Sequence, residues 1–501
     1  MSDETRIKSV AIIGAGAAGA AAAAALKAED FFDRIRVYER RGTPGGTWIY
    51  DPEPHIPPID PGGLPTDLDK PLEIPITLPA ITTPNQQERF SHTPIYDNLT
   101  TNVPGVAMSF SDSPFPYGPF VPHHIPRQYI ENYFSIQQTD DLLVLNTTVE
   151  DVSQLPSSFS GGPKRWKLTL RKYDPSRQAD VWWEEEFDAL ILANGHYSVP
   201  WIPRVSGLTA YMEKFPGRVI HSKYYRSPHA FADKKTLIIG NSASGHDITN
   251  GLVPSALLPV YQSRRSRSRW DGDEPPSGIQ WRAVINEYKL DGTIVFEDGT
   301  VLNDVDQVIY CTGYKPSFPF WNSKVNGRPL WDYESNKLIK SYWHTFLQDF
   351  QTLAIVGMPR VLTFRSFEYQ AVALARLFSG RNAIALPSLE EQEKWEKHRE
   401  EVSKRKKLKF HDIRWETGET MGWLDGFFQI AGLGRLTGEG RIPPAMTKNL
   451  IWAIEHIKKY PEPGDAEDKK RVEGVKTESM EDDAWVVVEH PRSPKDLLHF
   501  I

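Results

Sequence analysis

The stretch SVAIIGAGAAG, Ser9 to Gly19, decides the fold because an apolar strand runs straight into a glycine turn and an alanine-rich helix. Gly14, Gly16 and Gly19 fit the G-x-G-x-x-G spacing of a dinucleotide-binding turn. In such a turn the first glycine allows the tight bend, the second lets a pyrophosphate approach the backbone, and the third lets the helix pack on the strand. The stretch therefore predicts a Rossmann-like unit, although this spacing also arises by chance.

The next predicted strand supports this unit and adds an acidic side chain. The strand IRVYE ends at Glu39, 20 residues after Gly19, where a carboxylate would bind a ribose hydroxyl. The glycine-rich segment GTPGGTW, Gly42 to Trp48, follows closely and contains Gly46 and Trp48 as further candidate contacts. Together these residues suit FAD as the cofactor of the first unit.

A second unit of the same kind begins at KKTLIIGNSASGHDI, Lys234 to Ile248. A short apolar strand again leads into a turn of small residues and a helix, with Gly240, Ser242 and Gly245 at the three motif positions. Serine at the middle position makes this motif weaker than the first one. The candidate contacts to a second dinucleotide are Gly240, Ser242, Ser244 and Gly245.

The residues after the next strand indicate which dinucleotide the second unit binds. The strand LPVYQ ends without an acid and meets the run SRRSRSR, Ser263 to Arg269. An acid here would select NADH, whereas arginine accommodates the 2′-phosphate of NADPH. Arg264 is the candidate clamp for that phosphate and Arg265 its support, and the alternative is a basic loop that faces water. Two dinucleotide sites in one chain indicate electron transfer between NADPH and FAD.

Composition limits the class of protein. A length of 501 residues predicts more than one domain, and 40% hydrophobic with 25% charged residues is typical of a soluble globular chain. The net charge of −7 argues against nucleic acid as a partner. The single cysteine, Cys311, excludes an internal disulfide, a CxxC redox pair and a cysteine-rich metal site. Because no apolar window is long enough to span a membrane, we expect a cytoplasmic protein. The single cysteine also leads us to expect no metal site.

A segment between the two units, FPGRVIHSKYYR, carries a resemblance to a known family. Its Phe215, Gly217, His221 and Tyr225 match the fingerprint F-x-G-x-x-x-H-x-x-x-Y/F of the flavin-containing monooxygenases, particularly their soluble fungal branch. Further matches between residues 9 and 381 are PGGTW, PIYDNLTTNVP, NGHY, YCTGY and LAIVGMPRVLTFRSFEYQAVALARLFSGR. The chain therefore resembles that family in the order of its motifs as well as in their residues.

The resemblance implies an α/β fold of two Rossmann-like dinucleotide-binding domains, with the NADPH domain inserted into a split FAD domain. On this chain, residues 1–212 would form the first part of the FAD domain and residues 213–330 the NADPH domain. Residues 331–501 would complete the FAD domain and add C-terminal helices and a polar tail.

The resemblance also implies a reaction. NADPH would reduce FAD, O2 would add at flavin C4a, and the hydroperoxyflavin would pass one oxygen atom to a nucleophilic nitrogen or sulfur of a small molecule. That molecule would be a xenobiotic or a secondary metabolite. Asn102, in LTTN, is the candidate catalytic residue against the isoalloxazine ring, and Gln370 would lie near the flavin at a helix start. The alternatives are a plain turn role for Asn102 and a helix-surface position for Gln370.

The fingerprint residues themselves are expected to hold the NADPH domain in position. His221 would be an orienting hydrogen-bonding group rather than a base. Tyr225 favours oxygenation of nitrogen and sulfur, because Baeyer–Villiger enzymes, which oxidise ketones, end this fingerprint in tryptophan. Two alternatives stay open, namely a Baeyer–Villiger enzyme and a nucleotide-binding scaffold without turnover. The assembly, including a homodimer, is also left open.

Overall fold

A computed structural model describes residues 6–87, 89–115, 118–157, 164–359, 361–432, 440–442 and 446–460. The polar tail predicted from Pro461 onward lies outside these residues. The described chain is a mixed α/β protein, as predicted, and its two glycine turns belong to two separate parallel sheets.

Numbered in chain order, the strands of the described chain are β1 (Ser9–Ile13), β2 (Arg34–Tyr38), β3 (Ala80–Thr82), β4 (Leu143–Val144), β5 (Thr147–Gln154), β6 (Trp166–Asp174), β7 (Ala179–Phe187), β8 (Ala189–Leu192), β9 (Val199–Pro200), β10 (Val219–His221), β11 (Lys235–Ile239), β12 (Leu257–Ser263), β13 (Ile279–Arg282), β14 (Ile285–Tyr288), β15 (Ile294–Phe296), β16 (Val301–Leu302), β17 (Gln307–Tyr310), β18 (Tyr314–Lys315), β19 (Trp331–Asp332), β20 (Lys337–Leu338), β21 (Ser341–Tyr342), β22 (Phe346–Leu347) and β23 (Leu353–Ile355). The α-helices are α1 (Ala17–Ala28), α2 (Pro65–Leu68), α3 (Gly105–Met108), α4 (His124–Ile136), α5 (Leu208–Lys214), α6 (Ala243–Leu252), α7 (Phe364–Ser379), α8 (Leu389–Lys406), α9 (Glu419–Ile430) and α10 (Lys448–His456). None of the helices in this part of the chain combines the length and apolar character that crossing a bilayer requires.

The first parallel sheet holds the Ser9–Gly19 turn at its centre. Its parallel strands lie in the order β4–β2–β1–β8–β23, and the hairpin strands β22 and β21 extend the β23 edge. The chain builds outward from β1 through β2 and later returns to the other side of β1 with β8. The crevice between the carboxyl ends of β1 and β8 is therefore the topological switch point, where open α/β sheets bind their ligands.

The second parallel sheet is formed by the chain between β8 and β23. Its strands lie in the order β13–β12–β11–β17–β10, and every neighbouring pair is parallel. The second glycine turn follows β11, and the switch point lies between β11 and β17. This sheet therefore repeats the layout of the first one around its own turn helix, α6.

Strand β1 is an unbroken apolar run because both faces of the first sheet are covered. Ile12 packs in a core with α1, α4 and α7, while Ile13 packs in a core shared with the antiparallel sheet of β3, β7, β6 and β5. In the second sheet, Leu237 and Ile238 of β11 likewise belong to separate cores. Each parallel sheet is therefore the middle layer of its own unit.

The chain crosses between the two units twice, and the crossings pair with each other. Strands β9 and β18 are antiparallel, and the Trp201 N–H donates to the Gly313 carbonyl at 2.9 Å. The packing of two residues differs from the predicted bounds of the inserted domain, residues 213 and 330. Tyr211 lies in the core of the second sheet, and Trp321 lies in the core of the first. We therefore propose that the inserted domain runs between the paired crossings, from residue 201 to residue 313.

Candidate functional site

The first glycine turn lies at the switch point of the first sheet. Gly14 has a φ of +107°, and a Cβ there would lie 2.6 Å from the Ala193 carbonyl oxygen at the end of β8. A Cβ on Gly19 would clash with the Gly14 carbonyl oxygen. Both positions therefore require glycine, and their close contacts set the N-terminus of α1 against the crevice.

The segment between Gly42 and Trp48 covers this turn. The Gly45 N–H donates to the Ala15 carbonyl at 3.0 Å, and a Cβ on Gly46 would lie 2.8 Å from the Gly16 Cα. Trp48 is half-buried against the core of the first sheet and anchors the segment. Gly16 and Gly46 therefore meet as two apposed stretches of backbone.

Glu39 lies beside the same turn, immediately after β2, and is buried. Its two carboxylate oxygens accept hydrogen bonds from the Ala15 N–H and the Arg41 N–H, both at 2.9 Å. The bond from Ala15 ties the carboxylate to the glycine turn itself. Because a carboxylate oxygen accepts more than one hydrogen bond, Glu39 keeps the capacity to receive a ribose hydroxyl here.

The second glycine turn repeats the backbone of the first. Gly240 has a φ of +108°, and a Cβ there would lie 2.9 Å from the Cys311 carbonyl oxygen at the end of β17. Ser242 precedes α6 with φ −80° and ψ −171°, whereas Gly16 precedes α1 with φ −79° and ψ −168°. Any L-residue can adopt these angles, so the serine leaves the backbone of the turn unchanged.

Within the described chain, the N-termini of both turn helices, α1 and α6, have no side-chain cap, and the first turn of neither helix contains an acidic residue. Ser242 is exposed, Ser244 is half-buried, and Gly245 packs closely on the Gly240 carbonyl. Because the first N–H groups of a helix lack intrahelical partners and carry partial positive charge, both ends fit a pyrophosphate.

Arg264 follows β12 at the edge of the second crevice and is held by two partners. Its guanidinium carbon lies 3.3 Å from the ring centre of Trp281, and its Nη1 donates to the Asp271 carboxylate at 2.6 Å. Asn241, in the glycine turn, donates to the same carboxylate at 3.1 Å. The structure therefore brings Arg264 close to the second turn, whereas Arg265 is exposed to solvent.

His221 is buried where the fingerprint segment meets the second crossing. Its Nδ1 accepts a hydrogen bond from the Lys223 N–H at 3.1 Å, and its ring packs edge-on against Tyr314 of β18, with 5.1 Å between ring centres. Burial lowers the pKa of His221 to about 3, although the Gly313 backbone acts in the opposite direction. The imidazole is therefore neutral near pH 7 and packs in the joint between the two units.

Tyr225 is buried between two other rings in a core of the second sheet. Tyr96 contacts it edge-on, with 5.3 Å between ring centres, and Phe231 stacks on it at 5.5 Å. Tyr96 also donates a hydrogen bond to Asp247 of α6. The last fingerprint residue therefore joins α6 to the segment that leads to Asn102.

Asn102 lies in a short loop after the bridge between Thr100 and Pro122, and its side chain is exposed. Its neighbour Thr101 is buried, and the Thr101 hydroxyl accepts a hydrogen bond from the Val121 N–H at 3.1 Å. The loop is therefore anchored by its buried residue while the Asn102 amide is accessible from solvent.

Gln370 differs from its expected position at a helix start. It is fully buried in the second turn of α7, where its amide oxygen accepts from the Gly357 N–H at 3.1 Å. Its amide nitrogen donates to the Thr345 hydroxyl at 2.7 Å. The sequence could not locate it because both partners lie on other segments of the chain. Gln370 therefore holds the Gly357 backbone in place.

Two buried charged residues near these sites are missing from the sequence-based prediction. The Lys223 Nζ donates to the carbonyl oxygens of Phe90, at 3.1 Å, and Ser198, and burial lowers the pKa of Lys223 well below that of an ordinary lysine. Asp271 is buried beside Arg264. An acid so soon after the arginine run was a usable signal for Asp271, whereas a lysine in the fingerprint segment gives no sign of burial.

Comparison with known proteins covers most of the chain. The flavin-binding monooxygenase-like family matches residues 83–270 and 276–428, and the NAD(P)-binding Rossmann-like domain family matches residues 12–62. Flavin-containing monooxygenase FMO GS-OX5 of Arabidopsis thaliana is 32% identical over 401 residues, which cover 77% of each chain. Flavin-containing monooxygenase iboF of Amanita muscaria is 27% identical over 75% of this chain and 80% of its own. The solved structure of S-allyl-L-cysteine S-oxygenase from Allium sativum is similar at a TM-score of 0.69 and 26% identity, covering 93% of this chain and 94% of its own.

The stability of the chain should depend on pH through His221. Because burial holds the folded-state pKa at about 3, below the ordinary value of 6.5, the stabilisation is complete above pH 6.5 and is lost as the pH falls towards 3. Relative to His221→Asn, whose amide oxygen can replace Nδ1 as an acceptor, the unaltered chain should lose about 1.4 kcal/mol of unfolding free energy for each pH unit between pH 6.5 and pH 3.

Melting temperatures measured between pH 8 and pH 5 would check this dependence. The variant His229→Asn replaces an exposed histidine and is the matched control, for which the difference from the unaltered chain should stay constant. A His221→Asn difference that is the same at both pH values would show that the imidazole is not held neutral.

Proposed function

Because the chain belongs to the flavin-binding monooxygenase-like family, we propose that it transfers one oxygen atom from O2 to a nucleophilic nitrogen or sulfur of a small molecule. Membership of this family makes the chain an oxidoreductase that uses FAD and NADPH. We propose that the oxygenated molecule is a xenobiotic or a secondary metabolite.

The observation that carries the proposal is a pair of glycine turns with the same backbone and opposite charges beside them. Glu39 is bonded to the first turn, and Arg264 lies close to the second. A carboxylate accepts the hydroxyls of a ribose, whereas a guanidinium attracts a 2′-phosphate. This asymmetry supports FAD in the first unit and NADPH in the second.

In the first unit, backbone and one carboxylate would hold FAD. The glycines let the pyrophosphate approach the N-terminus of α1, and Glu39 would receive the ribose. Gln370 would act indirectly, because its amide oxygen accepts a hydrogen bond from the Gly357 N–H and holds that backbone in place. The residues that we assign to the FAD site are Gly14, Gly16, Gly19, Glu39, Gly46, Trp48, Asn102 and Gln370.

In the second unit, α6 and the basic loop would hold NADPH. The pyrophosphate would lie at the N-terminus of α6 and the 2′-phosphate at Arg264. His221 and Tyr225 are buried and would keep the position of this unit fixed rather than touch the reacting atoms. The residues that we assign to NADPH are Gly240, Ser242, Ser244, Gly245, Arg264 and Arg265.

Reduced FAD would supply the oxygen-activating chemistry. The proposal includes the C4a-hydroperoxyflavin that the family resemblance implies. The chain's own task is to bind, to orient and to exclude water. Asn102 is the candidate for orientation, because an amide both donates and accepts hydrogen bonds and its side chain is accessible on an anchored loop.

The most specific element of the proposed function is the kind of atom that receives the oxygen. Tyr225 ends the fingerprint, and the similarity to an S-oxygenase supports sulfur or nitrogen. Oxidation of a ketone is the alternative outcome. The proposal also includes a reducing, cytoplasmic location, which the single buried cysteine supports, and a homodimer as the assembly.

A substrate screen with product detection tests the proposed function. The purified protein should show flavin absorbance, and thiols or amines should accelerate NADPH oxidation with a matching yield of oxygenated product. Ketones converted to esters instead would establish the Baeyer–Villiger alternative. A colourless protein that consumes no NADPH would establish a nucleotide-binding scaffold.

The Arg264→Ala variant should raise the KM for NADPH by roughly tenfold or more and leave the KM for NADH nearly unchanged, because only NADPH carries the 2′-phosphate. Arg269→Ala is the matched control, since Arg269 belongs to the same run, is exposed and pairs with Glu416 at 3.6 Å. Initial rates with each cofactor measure both constants. Equal effects of Arg264→Ala on the two cofactors would contradict the assignment.

The Asn102→Ala variant should release more hydrogen peroxide per NADPH consumed and form less oxygenated product, because oxygen transfer would lose its orienting amide. Reduction of the flavin by NADPH should keep its rate. The exposed Asn98, four residues upstream, gives the control Asn98→Ala, which should keep product and peroxide yields unchanged. Unchanged coupling in Asn102→Ala would remove Asn102 from the site.

A further inference from the structure

An acidic residue fills the centre of the basic loop after β12. Asp271 is 7% exposed, and its Oδ2 accepts hydrogen bonds from Arg264 Nη1 at 2.6 Å, from the Ser268 N–H at 2.7 Å and from Asn241 Nδ2 at 3.1 Å. A guanidinium, a backbone N–H and an amide therefore converge on one oxygen. This is a set of donors that proteins use to bind an anion.

The donors come from the glycine turn after β11 and from the loop after β12. Asn241 belongs to the glycine turn after β11, and Arg264 follows β12 directly. In a Rossmann-like unit, the residue at the end of this strand meets the 2′ position of the adenosine ribose. The anion site that Asp271 fills is therefore where the 2′-phosphate of NADPH would bind.

We propose that the Asp271 carboxylate is an internal substitute for the 2′-phosphate, and that it leaves Arg264 when NADPH binds. The inference rests on the proposed function, because it assumes that the second unit takes NADPH. It makes Asp271 a residue that limits the preference for NADPH over NADH.

The reason for the exchange is electrostatic. A phosphate and a carboxylate on the same guanidinium repel each other, and water screens that repulsion poorly at a buried side chain. NADH carries a hydroxyl at the 2′ position, which can donate to a carboxylate, so NADH binds without displacing Asp271. The carboxylate therefore opposes NADPH and tolerates NADH.

Arg264 can stay in place while its partner leaves. Trp281 lies on β13, where it pairs with Gln262 of β12, and the guanidinium stacks on the indole. Asp271 lies in the connection between β12 and β13, so its movement unpairs no strand. The guanidinium is therefore stacked on a residue of the sheet, whereas the carboxylate belongs to the connecting loop.

The test compares the binding of adenosine 2′,5′-bisphosphate and adenosine 5′-monophosphate to the full chain by calorimetry. Asp271→Asn removes the charge and keeps the shape, and it should raise the preference for the bisphosphate about tenfold. Asp273→Asn removes a charge from a side chain of the same loop that is 93% exposed, and it should leave the preference within about twofold. An unchanged or reduced preference in Asp271→Asn overturns the inference.

Arg264→Gln separates this inference from the proposed function. If that variant keeps the preference of the unaltered chain, Arg264 does not bind the 2′-phosphate, and the proposed NADPH site is wrong as well. A preference lost in Arg264→Gln but unchanged in Asp271→Asn overturns the inference alone.

Should Asp271→Asn fail to fold, crystals of the unaltered chain with the bisphosphate decide the question. The inference requires the Asp271 carboxylate to have moved off Arg264 with the 2′-phosphate in its place. An ion pair retained at 2.6 Å beside a bound bisphosphate overturns it.

Discussion

Backbone packed against backbone at two glycines is the constraint on which the rest of the molecule depends. Gly14 approaches the end of β8, and Gly240 approaches the end of β17, because neither carries a side chain. Each contact fixes the point at which neighbouring parallel strands diverge, and it sets a helix N-terminus in front of the resulting crevice. Side chains then distinguish the two crevices, with a buried carboxylate at the first and a stacked guanidinium at the second.

Hydride transfer requires the two cofactors to meet in a defined geometry, and the joint between the two units contains buried polar groups. The crossings β9 and β18 pair, His221 packs on Tyr314, and Lys223 binds carbonyl oxygens of the first unit. Leaving any of these groups without its partner would cost free energy in a dry environment, so the joint favours a single arrangement. Asp247 adds a further tie, since it accepts hydrogen bonds from Tyr96 and from Tyr460 near the end of the described chain.

How much of this can be predicted from the sequence depends on the range of each interaction. The glycine turns, Glu39 and Arg264 follow from local geometry at strand ends, and the structure has these residues at the two crevices. Lys223 and Phe90 are 133 positions apart, and no spacing pattern reports such a contact. Local patterns also do not locate the domain limits, because the core that each segment joins is decided by partners far away in the chain. Asp271 lies only 7 positions from Arg264, so the sequence could have indicated the pair, although it does not indicate that the carboxylate is buried.

The two turns share a backbone conformation and differ in what lies over them. The backbone of Gly46 covers Gly16, whereas Ser242, at the matching place, is exposed. A nucleotide beneath a second layer of chain can depart only when that layer opens, while one on an uncovered turn can depart after each catalytic cycle. In the proposed function, this difference would keep FAD resident in the first unit and would let NADPH bind and leave at the second. The different residence of the two nucleotides would then depend on one glycine-rich segment.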